Sequence, residues 1–393
     1  MQKNSSMHVG FFIDAYFPVI DGVIRVTDAY ASRLVGKCDV TVFTPLTRGL
    51  DPGYDSRFPY EVVRCKSVMR ETDDYPQGFP IFDPGFKARV RAAKLDLIHI
   101  HSAYPMGQFA KSFARRHHIP MVGTLHSDFR PDVVSLLGKG LGERIVRFMM
   151  TAYNACDECW TVNDAVGRMF QKDYGLKRPY RVMPYSTDHT PVADAAAARS
   201  QVNARFGLKD DDFVLTHVGR LDLQKREDFI LRSLAELKKS LGDFKMLFIG
   251  DGYKRGFLEE MAQSLGLGDN VIFGGILPDP ESLMNVYART DLLLFPSSSD
   301  TYGLVKIEAA CQNTPTLFCR GTMAADGIRD GVNGFIAEDD EQSFAASIRR
   351  LSGERRRIAE VGAGARRDLY RTWDAIAESV YENYLNVIEN HKS

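Results

Sequence analysis

Short runs of β-branched and aromatic residues recur along the first half of the chain: HVGFFI (8–13), VTVFTP (40–45), LDLIHIH (95–101), PMVGTLH (120–126) and ECWTVN (158–163). Between them lie stretches with the apolar period of a helix, residues 23–34 and 107–116 among them. Strands and helices alternating at these lengths imply a parallel sheet covered on both faces. RVMPYSTD (181–188) reads as the last strand of this half, and the small, Ala-rich TPVADAAAARS (190–200) as a linker. The pattern then restarts with FVLTHVGR (213–220), KMLFIGD (245–251), NVIFGGI (270–276), DLLLFPS (291–297) and PTLFC (315–319). That predicts a second doubly wound domain, not a continuation of the first sheet. The closing TWDAIAESVYENYLNVIENH is an amphipathic helix by its apolar spacing. No short internal repeat or low-complexity tract interrupts this order.

The expected fold class is therefore α/β, with two Rossmann-like, doubly wound parallel-sheet domains. The first covers residues 1–189 and the second 190–371, with the helix 372–393 packing back on the first. Open sheets of this kind bind ligands at the carboxyl ends of their strands, and two in tandem are expected to face each other across a cleft.

Length and composition fit two soluble domains: 393 residues, 44% hydrophobic and 26% charged. No apolar run approaches the roughly 20 residues that span a bilayer. The opening MQKNSSMHVGFFIDAY has one Lys, and its apolar stretch runs into Asp14, Tyr16 and Pro18. It reads as a first buried strand in place of a secretory leader, so a cytoplasmic location is expected. Six cysteines in so long a chain do not make a disulfide framework. The CxxC at Cys156 and Cys159 lacks a second pair, and buried, reduced thiols are expected there.

The net charge of −1 conceals an asymmetry: residues 1–190 carry about +5 and the remainder about −6. A basic half suits an anionic partner such as a membrane surface or a phosphorylated substrate, and it also fits ordinary surface variation. Nucleic acid is not among the expected partners.

Chemistry is expected at the strand ends. Gly22, after YFPVID, would let a backbone amide approach a ligand at a helix start. Gly219, Arg220 and Lys225 in GRLDLQK could clamp a diphosphate without a metal. In LLLFPSSSDTYGLVKIEAA a buried strand ends in a loop bearing Asp300, and Tyr302-Gly303-Leu304-Val305 opens a helix carrying Glu308. The free amides of that first turn make an anion site. The two carboxylates could accept hydrogen bonds from sugar and ribose hydroxyls.

With these motifs the chain resembles glycosyltransferase family 4, the retaining transferases of the two-domain GT-B architecture. The resemblance covers nearly the whole chain, and IGDGY (249–253), GVNGF (331–335) and the aromatic helix around Trp373 belong to it. It is greatest towards members that glycosylate diacylglycerol. The family signature is Glu-x7-Glu; here Asp300, one methylene shorter, stands in the first place and Glu308 in the second.

The resemblance implies that Arg220 and Lys225 neutralise the departing nucleotide diphosphate. The amides of Gly22, Gly303, Leu304 and Val305 would bind phosphates and sugar, with Tyr302 beside them. Glu308 would hold the ribose and Asp300 the donor sugar's hydroxyls. Gly250, Gly252, Ile276 and Leu277 would flank the base, and His126 would face the reacting sugar. The implied reaction moves a hexose from a nucleotide sugar, a UDP-sugar first among the candidates, into an α-glycoside.

No metal or other cofactor is expected. Asp210 and Asp212 have the Asp-x-Asp spacing of the metal-dependent transferases, but they precede a strand and belong to a surface turn. His99 and His101 alternate along a buried strand and His117-His118 ends a helix, which suits core or capping roles. Positioning and electrostatics would then carry catalysis.

The acceptor is expected on the first domain. Residues 132–153 mix Leu, Ile, Phe and Met with Lys139, Arg144 and Arg147. They read either as a core-facing helix with charges outside or as a helix lying in a membrane interface. A lipid acceptor, with peripheral association at the inner face of the membrane, leads. A soluble sugar or metabolite acceptor, and a nucleotide-sugar epimerase or silent binding protein, are the alternatives. A nicotinamide oxidoreductase is disfavoured, because FPVIDGV follows the first strand where GxGxxG would be needed.

Overall fold

The computed structural model describes residues 7–19, 21–69 and 75–392. The first six residues, weighed above as part of a leader, and the last residue of the C-terminal helix segment lie outside them. The chain divides into two compact units, one running to Tyr185 and resuming at Trp373, the other Ser186–Thr372.

The first unit is built on a seven-stranded, wholly parallel sheet. In spatial order its strands are Glu61–Cys65, Asp39–Pro45, His8–Phe12, Leu97–Ile100, Met121–Leu125, Glu158–Thr161 and Tyr180–Val182. The direction of winding reverses between His8–Phe12 and Leu97–Ile100, where connections leave to opposite sides and open a crevice at the carboxyl ends. Helix starts follow local capping chemistry: Asp21 accepts the Ile24 amide at 2.8 Å and Asn163 that of Val166 at 2.9 Å. The helix Trp373–Lys392 belongs to this unit. Trp373 meets Tyr30 edge-on at 5.6 Å, and Tyr384 stacks on Trp160 at 5.4 Å and reaches His99 at 2.6 Å.

The second unit has a six-stranded parallel sheet ordered Val271–Gly275, Lys245–Ile249, Val214–Val218, Leu292–Phe295, Thr316–Cys319 and Phe335–Ala337. Its reversal falls between Val214–Val218 and Leu292–Phe295. Separate apolar layers cover its two faces, one around Leu234, Phe248 and Ile348, the other around Val214, Tyr287 and Leu293. Both halves have the α/β class and the doubly wound topology expected of them.

Three local expectations are corrected. Residues 190–200 are not all linker: Asp194 accepts the amides of Ala196 and Ala197, and its cap starts the helix Ala195–Phe206. Of 181–188 only the end of Tyr180–Val182 is strand. The stretch 132–153 is two helices, Arg130–Leu137 and Lys139–Tyr153, broken at Gly138, whose φ of +74° is left-handed. Two edge strands, Glu61–Cys65 and Phe335–Ala337, were not foreseen. The first carries Glu61 and Arg64, and the second spans three residues, so neither shows a long apolar run.

Candidate active site

Polar and charged side chains gather at both reversal points, more densely at the second unit's. The strand Val214–Val218 runs into Gly219, whose amide bonds the Ile249 carbonyl at 3.0 Å, and Leu221 bonds the Asp251 carbonyl at 3.1 Å. This loop lies directly against the one after Lys245–Ile249. A β-carbon on Gly250, where φ is +126°, would sit 1.9 Å from the Gly219 oxygen, and one on Gly252 would sit 2.3 Å from that of Leu221. Both glycines are therefore required by backbone contact.

The loop then turns tightly, with Leu223 and Arg226 at φ of +69° and +62°. Arg226 ties it down through the Pro296 carbonyl at 3.2 Å and Asp339 at 2.6 Å, and Ser299 Oγ donates to the Gln224 carbonyl at 2.9 Å. Lys225 is thus presented from a fastened loop. Its Nζ meets both oxygens of Asp300, at 2.8 and 2.9 Å. The two residues, 75 apart in sequence, face each other across the reversal point, and Asp300 is engaged by the lysine. Arg220 is exposed and lies 3.3 Å from Asp222.

Gly303 caps the helix Leu304–Cys311 with φ of +72°; a β-carbon there would lie 2.6 Å from the Phe295 ring. The amides of Leu304 and Val305 head that helix, where no intrahelical acceptor exists for them. Glu308 lies one turn further on, taking the Tyr287 hydroxyl at 2.9 Å with His189 Nε2 at 3.9 Å. No direct contact joins it to Asp300 among the described residues. Leu277 packs on the core and Ile276 is exposed at the end of Val271–Gly275. Tyr302 is buried beneath Lys306, whose Nζ sits 4.0 Å from its ring centre and donates to the Ala324 carbonyl at 2.7 Å. Burial pushes the Lys306 ammonium down to about 7.

In the first unit a cavity of about 450 Å³ opens at the other reversal point, bordered by Asp14, His101, Ser102, Tyr104, His126 and Leu136. Asp14 accepts from Ser102 Oγ at 2.5 Å and from the Met106 amide at 2.9 Å. Its recessed position outweighs these bonds and raises its carboxyl to about 6. His126 bonds the Tyr185 hydroxyl through Nδ1 and His101 Nδ1 through Nε2, the latter at 3.0 Å. Burial holds it neutral, at about 3. His99 lies in the core between Tyr384 and Thr124, whereas His101 borders the cavity. Asp14, His101 and Ser102 were not singled out as site residues; their signal was position, at the ends of the first and fourth strands. Gly22 opens the helix Gly22–Leu34, exposed, with nothing within 4 Å of a would-be β-carbon.

The helix Lys139–Tyr153 has one face in the core and one exposed. Val146, Met149, Met150 and Tyr153 face the core, while Lys139, Arg144 and Arg147 are exposed beside Leu141 and Phe148. Leu136, at the end of the preceding helix, is 83% exposed. Asp210 and Asp212 sit in the turn before Val214–Val218, bonded to Asn203 and to the Lys209 amide, each at 2.7 Å. All six cysteines are free and buried. Among the described residues no cluster of three or more His, Cys, Asp or Glu could hold a metal, and no helix is long and apolar enough to cross a membrane.

Residues 20–190 match the family Glycosyltransferase Family 4, and residues 199–368 match Glycosyl transferases group 1. An alpha-monoglucosyldiacylglycerol synthase of Streptococcus pneumoniae is 24% identical over 79% of this chain and 70% of its own length. A D-inositol 3-phosphate glycosyltransferase of Rhodococcus jostii is 26% identical over 90% of this chain and 81% of its own. Among solved structures, the Anabaena protein HepE, in complex with UDP and glucose, superposes with a TM-score of 0.71 at 18% identity, covering 96% of this chain and 99% of that one.

Proposed function

We propose that this chain, which belongs to the family 4 glycosyltransferases, moves a hexose from a UDP-sugar to a lipid hydroxyl, diacylglycerol being the model acceptor, and forms an α-glycoside with retention of configuration. The observation that carries the donor half is the Lys225–Asp300 pair standing at a sheet reversal beside a glycine-capped helix start. A cation, free amides and a carboxylate converge there, which suits a sugar diphosphate. Lys225 and Arg220 neutralise the leaving diphosphate as its charge develops. The amides of Gly303, Leu304 and Val305 hold phosphate and sugar, and Glu308 takes the ribose hydroxyls. Gly250, Gly252, Ile276 and Leu277 flank the base. Asp300, once the diphosphate competes for Lys225, is released to the donor sugar. The acceptor hydroxyl attacks the face from which the diphosphate leaves and passes its proton to a phosphate oxygen. No metal enters this scheme.

The lipid acceptor is supported by the exposed basic and apolar face of Lys139–Tyr153 and by the activity named for the Streptococcus relative. That face would lie on an anionic membrane, giving peripheral association at its inner surface. The polar wall of the first unit's cavity, Asp14, Ser102 and His101, favours a second reading, a small soluble polyol acceptor like that named for the Rhodococcus relative.

The site assignment is tested by Glu308→Ala and Lys225→Ala in an assay of nucleotide release from sugar nucleotides. Each should lose about 10²–10³-fold in rate with an unchanged melting temperature, as expected for removing a preorganised charge partner. Wild-type rates in either would remove the assignment. EDTA should leave the wild-type rate unchanged, and strong inhibition would overturn the metal-free scheme.

A further inference from the structure

Beneath the Lys225–Asp300 clamp lies a second pair that the scheme above does not use. His217, on the strand that leads to Gly219, and Glu227, the first residue of the helix after Lys225, are both fully buried. His217 Nε2 and Glu227 Oε1 are 3.9 Å apart, too far for a hydrogen bond. That nitrogen and both carboxyl oxygens lack a partner in good hydrogen-bond geometry, and the amides of Asp222, Leu223 and Glu227 itself stand near the carboxyl. Three polar atoms so poorly satisfied in a closed site are costly unless the site gains something when its charge changes.

The pair also touches the clamp. The point that a β-carbon on Gly219 would occupy is 2.8 Å from the Lys225 side chain and 3.5 Å from His217 Nε2. The lysine stem and the imidazole therefore share one gap. His217 is fixed on its other side by Nδ1, 3.1 Å from the Leu294 carbonyl, and packs on the Phe248 ring at 5.7 Å. That carbonyl is an acceptor only, so the neutral ring carries its proton on Nδ1 and leaves Nε2 as a free lone pair.

We propose that His217 and Glu227 are positioning residues for the diphosphate clamp: when a nucleoside diphosphate occupies it, a proton from solvent binds His217 Nε2, and Glu227 becomes the counter-ion. This rests on the donor reading above. Without ligand, burial and the Lys225 charge hold His217 neutral, at about 4, although the Leu294 carbonyl and Asp300 pull the other way. Burial raises Glu227, helped by Asp222, against the nearby amides of Asp222, Leu223 and Glu227 itself. Its place at a helix start favours the carboxylate against that shift. A diphosphate draws off Lys225 and adds negative charge. A unit charge ~6 Å away in a protein surround raises a neighbouring base by roughly two pH units, enough for two such charges to protonate His217 near neutrality. The imidazolium then adds a fixed cation under the leaving group.

Calorimetric titration of the full chain with UDP, and with GDP as second probe, at pH 7 in buffers of low and high ionisation enthalpy counts the protons taken up. The wild type should take up up to ~1 proton more per nucleotide than His217→Gln or Glu227→Gln, because the ligand's own ionisation cancels in the difference. Affinity should fall about tenfold in Glu227→Gln, the nearly isosteric variant that keeps the test valid if His217→Gln misfolds. Equal proton uptake in the wild type and the folded variants would overturn the pair's role while leaving the donor reading intact. Binding of neither nucleotide would overturn the donor reading itself.

Discussion

Lys306 lies on the helix that carries Glu308, and no motif marks it. Two residues before Glu308, it is buried between Tyr302 and Phe318 and bonded to the Ala324 carbonyl. Burial lowers it from the ordinary 10.5 to about 7, with Asp326 only partly offsetting the loss of solvent. Between those values the unfolded chain holds a proton that the folded chain has released, so stability rises with pH from 7 towards 10.5. Lys306→Met should therefore melt higher than the wild type at pH 6, with an advantage that shrinks as pH approaches 10.5. A melting difference constant over that range would show that the lysine carries no such penalty. At this scale the motif residues were legible because family spacing and strand-end position mark them. The partners were not: Lys225 meets Asp300, and His126 meets Tyr185, across long sequence separations that only the sheet closes.

Elements were legible where an apolar run or helical period was long, and obscured where a single residue governs. Gly138 divides what reads as one helix, and Asp194 converts a presumed linker into a helix start. In the helix Lys139–Tyr153 one face is core and the other is basic and apolar. If that outer face meets a membrane, Leu141 and Phe148 each contribute about 2 kcal/mol on leaving water. Leu141→Gln with Phe148→Gln should then weaken binding to phosphatidylglycerol vesicles by more than about tenfold, while nucleotide binding is unchanged. Vesicle binding at the wild-type level would move the membrane contact elsewhere or abolish it.

At the scale of the molecule, two doubly wound sheets were legible because each repeats strand, loop and helix with the same rhythm. The charge asymmetry between the halves was also visible, but it does not say what the basic half meets. Acceptor choice depends on the first unit's cavity and on the exposed helix face, neither of which is encoded in a fixed motif. The most direct test of the central claim is nucleotide release by the purified protein from a panel of sugar nucleotides, with and without anionic vesicles containing diacylglycerol. Release from a UDP-sugar that the vesicles stimulate, with an α-glycosylated lipid as product, is the predicted result. No release from any sugar nucleotide, with or without vesicles, would contradict the account.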